Sequence, residues 1–299
     1  MLTVPMIIEK IYKASVLPTI KKSRTLSWMN EHMHGLMCWI IGIKLKKTFG
    51  GRVTFFGIGG AKLDRTVEQF LLEAKFPYAI GYGLTETSPL IAGAIPSMVR
   101  LGSTGPIVHG VTAKLLDQNE EGIGEIVVKG DNVMMGYYKN PEATAAAFTE
   151  DGWFRTKDLG CFDKDGWLYI KGRASTTIIG PSGENIYPED IETIINSHEY
   201  VSESLVTKRK GKLTALVHFD TEKLKSWWDS ATNEWKEEYS EKLENLKKEL
   251  LDYVNEKVSK FSKVSEIDVQ KEEFEKTATK KIKRFLYTKD EDSDINRKS

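Results

Sequence analysis

Gly81-Tyr82-Gly83-Leu84-Thr85-Glu86-Thr87-Ser88-Pro89 decides the reading of this chain. An aromatic ring lies between two glycines, and a hydroxyl and a carboxylate follow. Tyr82 can stack on a base, while Gly81 and Gly83 let the backbone come close to it. Thr85 can hydrogen-bond a phosphate oxygen, and Glu86 can ligate Mg²⁺. A strand that ends in a turn with a solvated Glu fits the same residues, because short motifs also match by chance. Upstream, Arg52–Ile58 is β-like and ends at Gly59-Gly60. Val67, Phe70, Leu71 and Ala74 then give a helix from about Asp64 one apolar face. Tyr78–Gly81 is a second β-run, and it delivers the motif. Strand, helix and strand with glycine at the turns predict an α/β layer with its site at the strand ends.

Downstream, residues 100–172 read as β-rich. Val111–Leu116 and Glu125–Lys129 flank a polar loop, and Phe162 and Trp167–Lys171 flank the hairpin signal Asp163-Lys164-Asp165-Gly166. Asn140-Pro141-Glu142 opens a helix as N-cap, first residue and dipole partner. A small twisted barrel or sheet fits this stretch. Pro188-Glu189-Asp190 opens another helix, with Ile191, Ile194, Ile195 and His198 on its apolar face. Ser204–Thr207 and Leu213–Phe219 form a hairpin around Lys208–Lys212. A stripe then recurs at steps of three and four from Trp235 and Tyr239 through Leu243, Leu246, Leu250, Val254 and Val258 to Phe261. It predicts an amphipathic helix packed on its own domain, since it lacks a clean coiled-coil heptad. Asp290 onward is polar and is expected to be a disordered tail.

Composition narrows the function classes. The chain has 299 residues, 40% hydrophobic and 29% charged, which is enough for one large or two ordinary domains. Lys+Arg and Asp+Glu are both 43, so there is no global basic field of the kind that marks nucleic-acid binders. Cys38 and Cys161 match no metal-ligand or redox spacing, which suggests a reducing, cytoplasmic compartment. No secretory or transit signal opens the chain. Leu36–Ile43 is too short to span a bilayer. It suits a buried helix or strand, with peripheral membrane contact as the alternative. Met1-Leu2-Thr3-Val4-Pro5 reads like the interior of a domain, so the chain is expected to be a fragment.

Three further stretches could carry chemistry. Asp158, in Asp151–Gly160, could accept hydrogen bonds from both hydroxyls of a ribose, or simply cap a turn. Arg173, followed by the glycine-rich loop Gly180–Gly183, could clamp a ligand beside a hinge, or belong to a linker before a helix. In Glu275–Arg284 one lysine could reach into a site, although most lysines in such a cluster are solvated.

Taken together, GYGLTE (81–86), GSTGP (102–106), GWFRTKDLG (152–160), GWLYIKGR (166–173), GENIYPEDIE (183–192) and EKTATKKIKR (275–284) resemble the adenylate-forming, AMP-binding acyl-CoA synthetase family in order and spacing. The match runs from about Gly59 to Arg284. The wording of 83–93, 180–192 and 276–287 is similar to the long-chain fatty acid–CoA ligase branch. The resemblance implies an α/β fold, the C-terminal part of an adenylate-forming enzyme. It would comprise part of the large α/β nucleotide- and acyl-binding subdomain (1–100), a small β-barrel-like subdomain (101–172) and a mobile α+β lid domain (173–288), with residues 289–299 as the tail. It implies activation of a fatty acid with ATP to an acyl-adenylate, then transfer to coenzyme A. Tyr82 would stack on adenine, Thr85 bind phosphate and Glu86 hold Mg²⁺. Asp158 would bind the ribose hydroxyls with help from Arg173. Lys281 would bridge the acid's carboxylate and the α-phosphate. Gly59-Gly60-Ala61 would line the pocket, and Ser182-Gly183-Glu184-Asn185 would swing in for the thioester step. An acid other than a fatty acid, or a non-catalytic nucleotide-binding remnant, are the competing functions.

The sequence departs from the family pattern in several places. Lys157 stands where the family usually has Gly, and Ser175 takes a hinge position that commonly holds Lys or Asp. Lys280 replaces a frequent Gly and Glu275 a frequent Pro. The Ser/Thr/Gly-rich phosphate loop is absent from these residues. The expected partners are therefore fatty acid, ATP, coenzyme A and a missing N-terminal part of the same enzyme, with no nucleic acid.

Overall fold

Hydrophobic periodicity and turn chemistry place most elements of the α/β layer. The computed structural model describes residues 1–220, 222–224, 237–277 and 281–288. The chain divides into two compact units, Met1–Ser175 and Thr176–Ser299.

The first unit holds two sheets. One has the order β1 (Leu2–Thr3), β2 (Phe56–Gly59), β3 (Tyr78–Gly83) and β4 (Leu90–Gly93). The first three strands are parallel and β4 returns antiparallel. Between β1 and β2 run four helices, α1 (Pro5–Ile11), α2 (Leu17–Lys22), α3 (Arg24–His32) and α4 (His34–Thr48). Leu36–Ile43 thus lies inside α4. Helix α5 (Arg65–Glu73) crosses from β2 to β3. It starts, as expected, at Asp64, whose carboxylate accepts the Val67 N–H at 2.8 Å and so caps the helix. Its face of Val67, Phe70 and Leu71 packs with Met37 and Ile41 of α4 and with Phe56, Ile58 and Tyr78 of the sheet.

The second sheet has the order β5 (Gly105–Pro106), β9 (Trp167–Arg173), β8 (Phe154–Phe162), β7 (Gly124–Gly130) and β6 (Val111–Leu116), all antiparallel. The barrel-like expectation is corrected here, because the ladder is open. β5 is two residues long, ends in a proline without an N–H, and pairs with β9 and not with β6. Helix α6 (Pro141–Ala147) starts on the Asn140 cap, which accepts the Ala143 N–H at 3.0 Å. Ile91 and Ala92 of β4 share one core with Ile126, Val128, Phe154 and Leu168, so the two sheets are joined.

The second unit is α+β. A short hairpin, β10 (Ile178–Ile179) and β11 (Asn185–Ile186), precedes α7 (Pro188–Ser197). β12 (Val201–Arg209) and β13 (Lys212–Phe219) pair antiparallel around Lys210-Gly211. Both turn residues have positive φ, as a tight two-residue hairpin turn requires. β14 (Glu266–Val269) adds parallel to β13. Helix α8 (Glu237–Lys257) covers this sheet with Leu246, Leu250 and Val254. Each such side chain contributes ~1.5–3 kcal/mol when fully buried, against ~0.2–0.5 kcal/mol for a surface Glu–Lys pair, so the stripe docks the helix. The helix ends at Lys257, and Phe261 lies beyond it, exposed. Trp235, Lys280 and the tail from Asp290 lie outside the described residues. No helix among the described residues is long and apolar enough to cross a membrane.

Candidate nucleotide site

β3, β8 and β9 bring together three of the residues singled out in the sequence. The Tyr82 hydroxyl donates to Asp158 Oδ2 at 2.8 Å, and Arg173 Nε lies 3.0 Å from Asp158 Oδ1. Asp158 and Arg173 face each other in the β8–β9 register. Asp158 is only 6% exposed, whereas about half of the Arg173 side chain is open. Burial, and then the Asp158 charge, pushes the Tyr82 hydroxyl well above its ordinary value, so it remains a donor.

A local irregularity aims Asp158. β7 and β8 pair as Val127↔Arg155 and Glu125↔Leu159, so three residues of β8 oppose one of β7. At the centre of this bulge Lys157 has φ +60°, a left-handed conformation that favours glycine. The buried Glu125 carboxylate accepts the Lys157 N–H at 3.2 Å and pairs with Arg155. The Lys157 carbonyl accepts the Ala174 N–H at 3.0 Å. Thr156 Oγ1 donates to the Ile126 carbonyl at 2.7 Å and accepts the Asp158 N–H at 3.1 Å. Glu125 and Thr156 are positioning residues that sequence reading missed. Their pattern is that of any strand, and only the bulge reveals them.

The loop after β3 is similarly built. Thr85, Glu86 and Thr87 form a 3-10 turn. Thr87 is fully buried, accepts the Leu84 N–H at 3.1 Å and donates to the Pro89 carbonyl at 2.7 Å. Asn132 Nδ2 donates to the Thr87 carbonyl at 2.7 Å and to the Leu90 carbonyl at 3.0 Å. The Met134 N–H donates to the Glu86 carbonyl at 2.8 Å. The Tyr137 hydroxyl donates to Glu86 Oε1 at 3.0 Å, and burial together with that carboxylate pushes the hydroxyl upward. Thr85 is exposed. One carboxylate with nucleotide phosphates and waters is a donor set that Mg²⁺ accepts, so Glu86 fits that ion.

The glycines separate by their surroundings. A Cβ on Gly83 would sit 1.7 Å from the Pro89 carbonyl oxygen, so this glycine closes the β3–β4 loop whatever it does for a ligand. A Cβ on Gly81 would meet the movable Leu90 Cδ1 at 3.1 Å and come no nearer than 4.0 Å to backbone. Gly60, at φ +91°, has open space around it.

Gly183 and Lys281 lie in the second unit. Gly183, at φ +88°, forms the turn between β10 and β11, where its N–H donates to the Gly180 carbonyl at 3.1 Å. Lys281 is exposed, and its backbone is closed onto Thr277 in both directions, N–H to Thr277 Oγ1 at 3.2 Å and carbonyl to the Thr277 N–H at 2.8 Å. Three residues on, Arg284 pairs with Glu192 of α7, a link sequence reading did not anticipate.

The pattern of the AMP-binding enzyme family matches residues 1–138. The chain is 34% identical over 195 residues to the long-chain-fatty-acid–CoA ligase FadD15 of Mycobacterium bovis, covering 65% of this chain and 32% of that protein. It is 40% identical over 156 residues to the 2-succinylbenzoate–CoA ligase of Geobacillus kaustophilus, covering 50% and 31%. Among solved structures it resembles o-succinylbenzoate CoA synthetase (MenE) from Bacillus subtilis in complex with the acyl-adenylate intermediate OSB-AMP, with TM-score 0.63, 25% identity and coverage of 93% and 54%. It also resembles ATP-bound MatB from Rhodopseudomonas palustris, with TM-score 0.59, 26% identity and coverage of 78% and 44%. The fold therefore falls in the AMP-binding class. Within it, the chain belongs to the adenylate-forming acyl-CoA synthetase family. It spans about a third of the length of the curated relatives it matches.

Proposed function

We propose that this chain carries the adenosine-binding and acid-activating residues of an ATP-dependent acid–CoA ligase whose acid is a long-chain fatty acid. The observation that carries the reading is the Asp158 carboxylate, buried at a bulged strand and held by Tyr82 and Arg173. A carboxylate can accept about four hydrogen bonds, so one fixed in this way suits a vicinal diol. Tyr82 would present its ring to adenine while its hydroxyl orients Asp158. Thr85 would hydrogen-bond a phosphate. Glu86 would hold Mg²⁺, which when bound neutralises phosphate charge. A carboxylate attacking an α-phosphate brings two anions together, so Lys281 would supply positive charge where they meet, worth ~3–4 kcal/mol of barrier. Gly183 and its hairpin would serve the thioester step with coenzyme A. The long-chain assignment is supported by several relatives bearing that name, and the succinylbenzoate ligase marks the aromatic-acid alternative. A cytoplasmic location is proposed from the two isolated cysteines, with peripheral membrane contact through Leu36–Ile43 as the alternative.

Because the chain spans only about a third of those relatives, binding is the first test. AMP titrated calorimetrically should bind, and Asp158→Ala should lose at least tenfold in affinity. Non-hydrolysable acyl-adenylate analogues should then bind more tightly as a fatty chain grows, by up to ~0.8 kcal/mol per buried CH₂. No AMP binding would refute the nucleotide site. Preference for a succinylbenzoyl analogue over a palmitoyl one would refute the long-chain substrate.

A further inference from the structure

α4 and α5 carry a second cluster, built from residues the nucleotide site does not use. His34 and Cys38 are one turn apart on α4 and so share a face. Glu73 ends α5, which packs on α4. His34 Nε2 lies 2.8 Å from Glu73 Oε2, and Cys38 Sγ lies 3.5 Å from each of them. It is the one group of three or more such side chains among the described residues with ligand atoms this close.

We propose that His34, Cys38 and Glu73 form a tridentate site for a zinc-like divalent cation. Zn–S bonds of ~2.3 Å and Zn–N or Zn–O bonds of ~2.1 Å at tetrahedral angles put sulfur ~3.6 Å from nitrogen or oxygen, and nitrogen ~3.4 Å from oxygen. The sulfur edges already match, and the His34–Glu73 edge must open by about half an ångström, within side-chain reach. Outer partners are also in place. His34 Nδ1 is 2.9 Å from Asn30 Oδ1 and can keep a proton there, so that a cation displacing the proton between Nε2 and Glu73 would find the Nε2 lone pair. Gln69 donates to the second oxygen of Glu73. Cys38 is 1% exposed whereas His34 is 54% exposed, so one side of the triangle is dry and the other is open for a further ligand. Cation binding takes Cys38 as the thiolate, so its proton leaves to solvent as the metal–sulfur bond forms. An ordinary His–Glu ion pair would need neither the thiol nor Asn30. Zinc here would tie α4 to α5.

The test is titration of chelator-treated protein with cobalt(II), followed by zinc. One saturable equivalent should give near-ultraviolet cobalt–thiolate absorption that zinc abolishes. Cys161→Ser should keep the band, and Cys38→Ser should lose it. His34→Ala, at a half-exposed position that tolerates truncation, should weaken binding at least tenfold. Zinc should raise the thermal midpoint of the parent protein and not of His34→Ala. Absence of the band in the parent, its persistence in Cys38→Ser, or unchanged affinity in His34→Ala would overturn the site.

Discussion

Glu192 gives the sharpest test of the second unit. Its carboxylate is 8% exposed, accepts the Val206 N–H at 2.6 Å and pairs with Arg284, with Glu189 nearby. Burial outweighs the pull of Arg284 and raises its pKa from 4.5 to about 7. Below pH 4.5 both the folded and the unfolded chain hold the proton, so the group adds no pH dependence. From 4.5 to 7 the unfolded chain gives up its proton while the folded chain keeps it, so stability falls as pH rises. At ~1.36 kcal/mol per pH unit, the loss is about 3 kcal/mol across this window and levels off above it. Amide exchange in β12, read at Val206 and corrected for intrinsic rates, should show that slope in the parent protein. Glu192→Gln keeps an acceptor for Val206 but has no titrating proton, so its profile should flatten. Arg284→Met should cost little at pH 5, where Glu192 is protonated, and several-fold more at pH 8, where it leaves a buried charge unpaired. The same slope in parent and Glu192→Gln proteins would refute the assignment.

The first unit yields three further expectations. Lys157→Gly should stabilise by about 0.5–1 kcal/mol, because relief of ~1–2 kcal/mol of left-handed strain exceeds the ~0.5–1 kcal/mol of added chain entropy. A urea midpoint equal to or below that of the parent would contradict it. Gly83→Ala should destabilise by more than ~3 kcal/mol, because the new methyl overlaps the Pro89 carbonyl, whereas Gly81→Ala should cost under ~1 kcal/mol, because Leu90 can move. Equal thermal shifts in the two variants would show that the loop is not fixed by that overlap. Tyr82→Phe keeps the ring but frees Asp158 from its donor, so AMP affinity should fall by about 1–2 kcal/mol, roughly five- to thirtyfold in Kd, by calorimetry. An unchanged Kd would leave the hydroxyl with no part in orienting Asp158.

Local chemistry made much of this legible. Asn140-Pro141 is a true cap, a helix does start at Asp64, Val111–Leu116 is a strand with those bounds, and Lys210-Gly211 turns the hairpin, because each is decided within a few residues. The four helices of residues 5–48 and the strand β14 were not legible. α4 carries apolar residues all round with Trp39 and Ile43 exposed, so no one-sided stripe marks it. β14 owes its place to pairing with β13, about fifty residues away. In the site, Tyr82, Asp158 and Arg173 stood out as residue types, but their mutual contact depends on a bulge. Glu125 and Tyr137 act through long-range bonds that no spacing encodes, and Thr156 joins its local bond to Asp158 with one to Ile126 thirty residues away.

The motifs also prove to be of two kinds. Gly102 donates to both oxygens of the buried Glu68, and a Cβ on Gly105 would sit 2.4 Å from the Gly93 carbonyl carbon, so GSTGP fastens one sheet to the other. Glu192 and Arg284 lie 92 positions apart and close GENIYPEDIE onto EKTATKKIKR. That ion pair anchors the segment three residues from Lys281, so part of what makes the pattern recognisable is the fastening that holds the lysine's backbone. A motif held for such reasons marks the fold, and only the side chains that would touch nucleotide, cation or acid mark the chemistry. Asp158, Glu86 and Lys281 are the residues whose replacement separates the two. Asp158→Asn, which keeps an acceptor for Tyr82, or a change at Glu86 should alter nucleotide or Mg²⁺ binding, and changing Lys281 should alter turnover, while the melting of each unit moves by less than the ~3 kcal/mol expected of a lost fastening. If all three variants melted like Gly83→Ala, these positions too would belong to the fold, and the non-catalytic reading would gain.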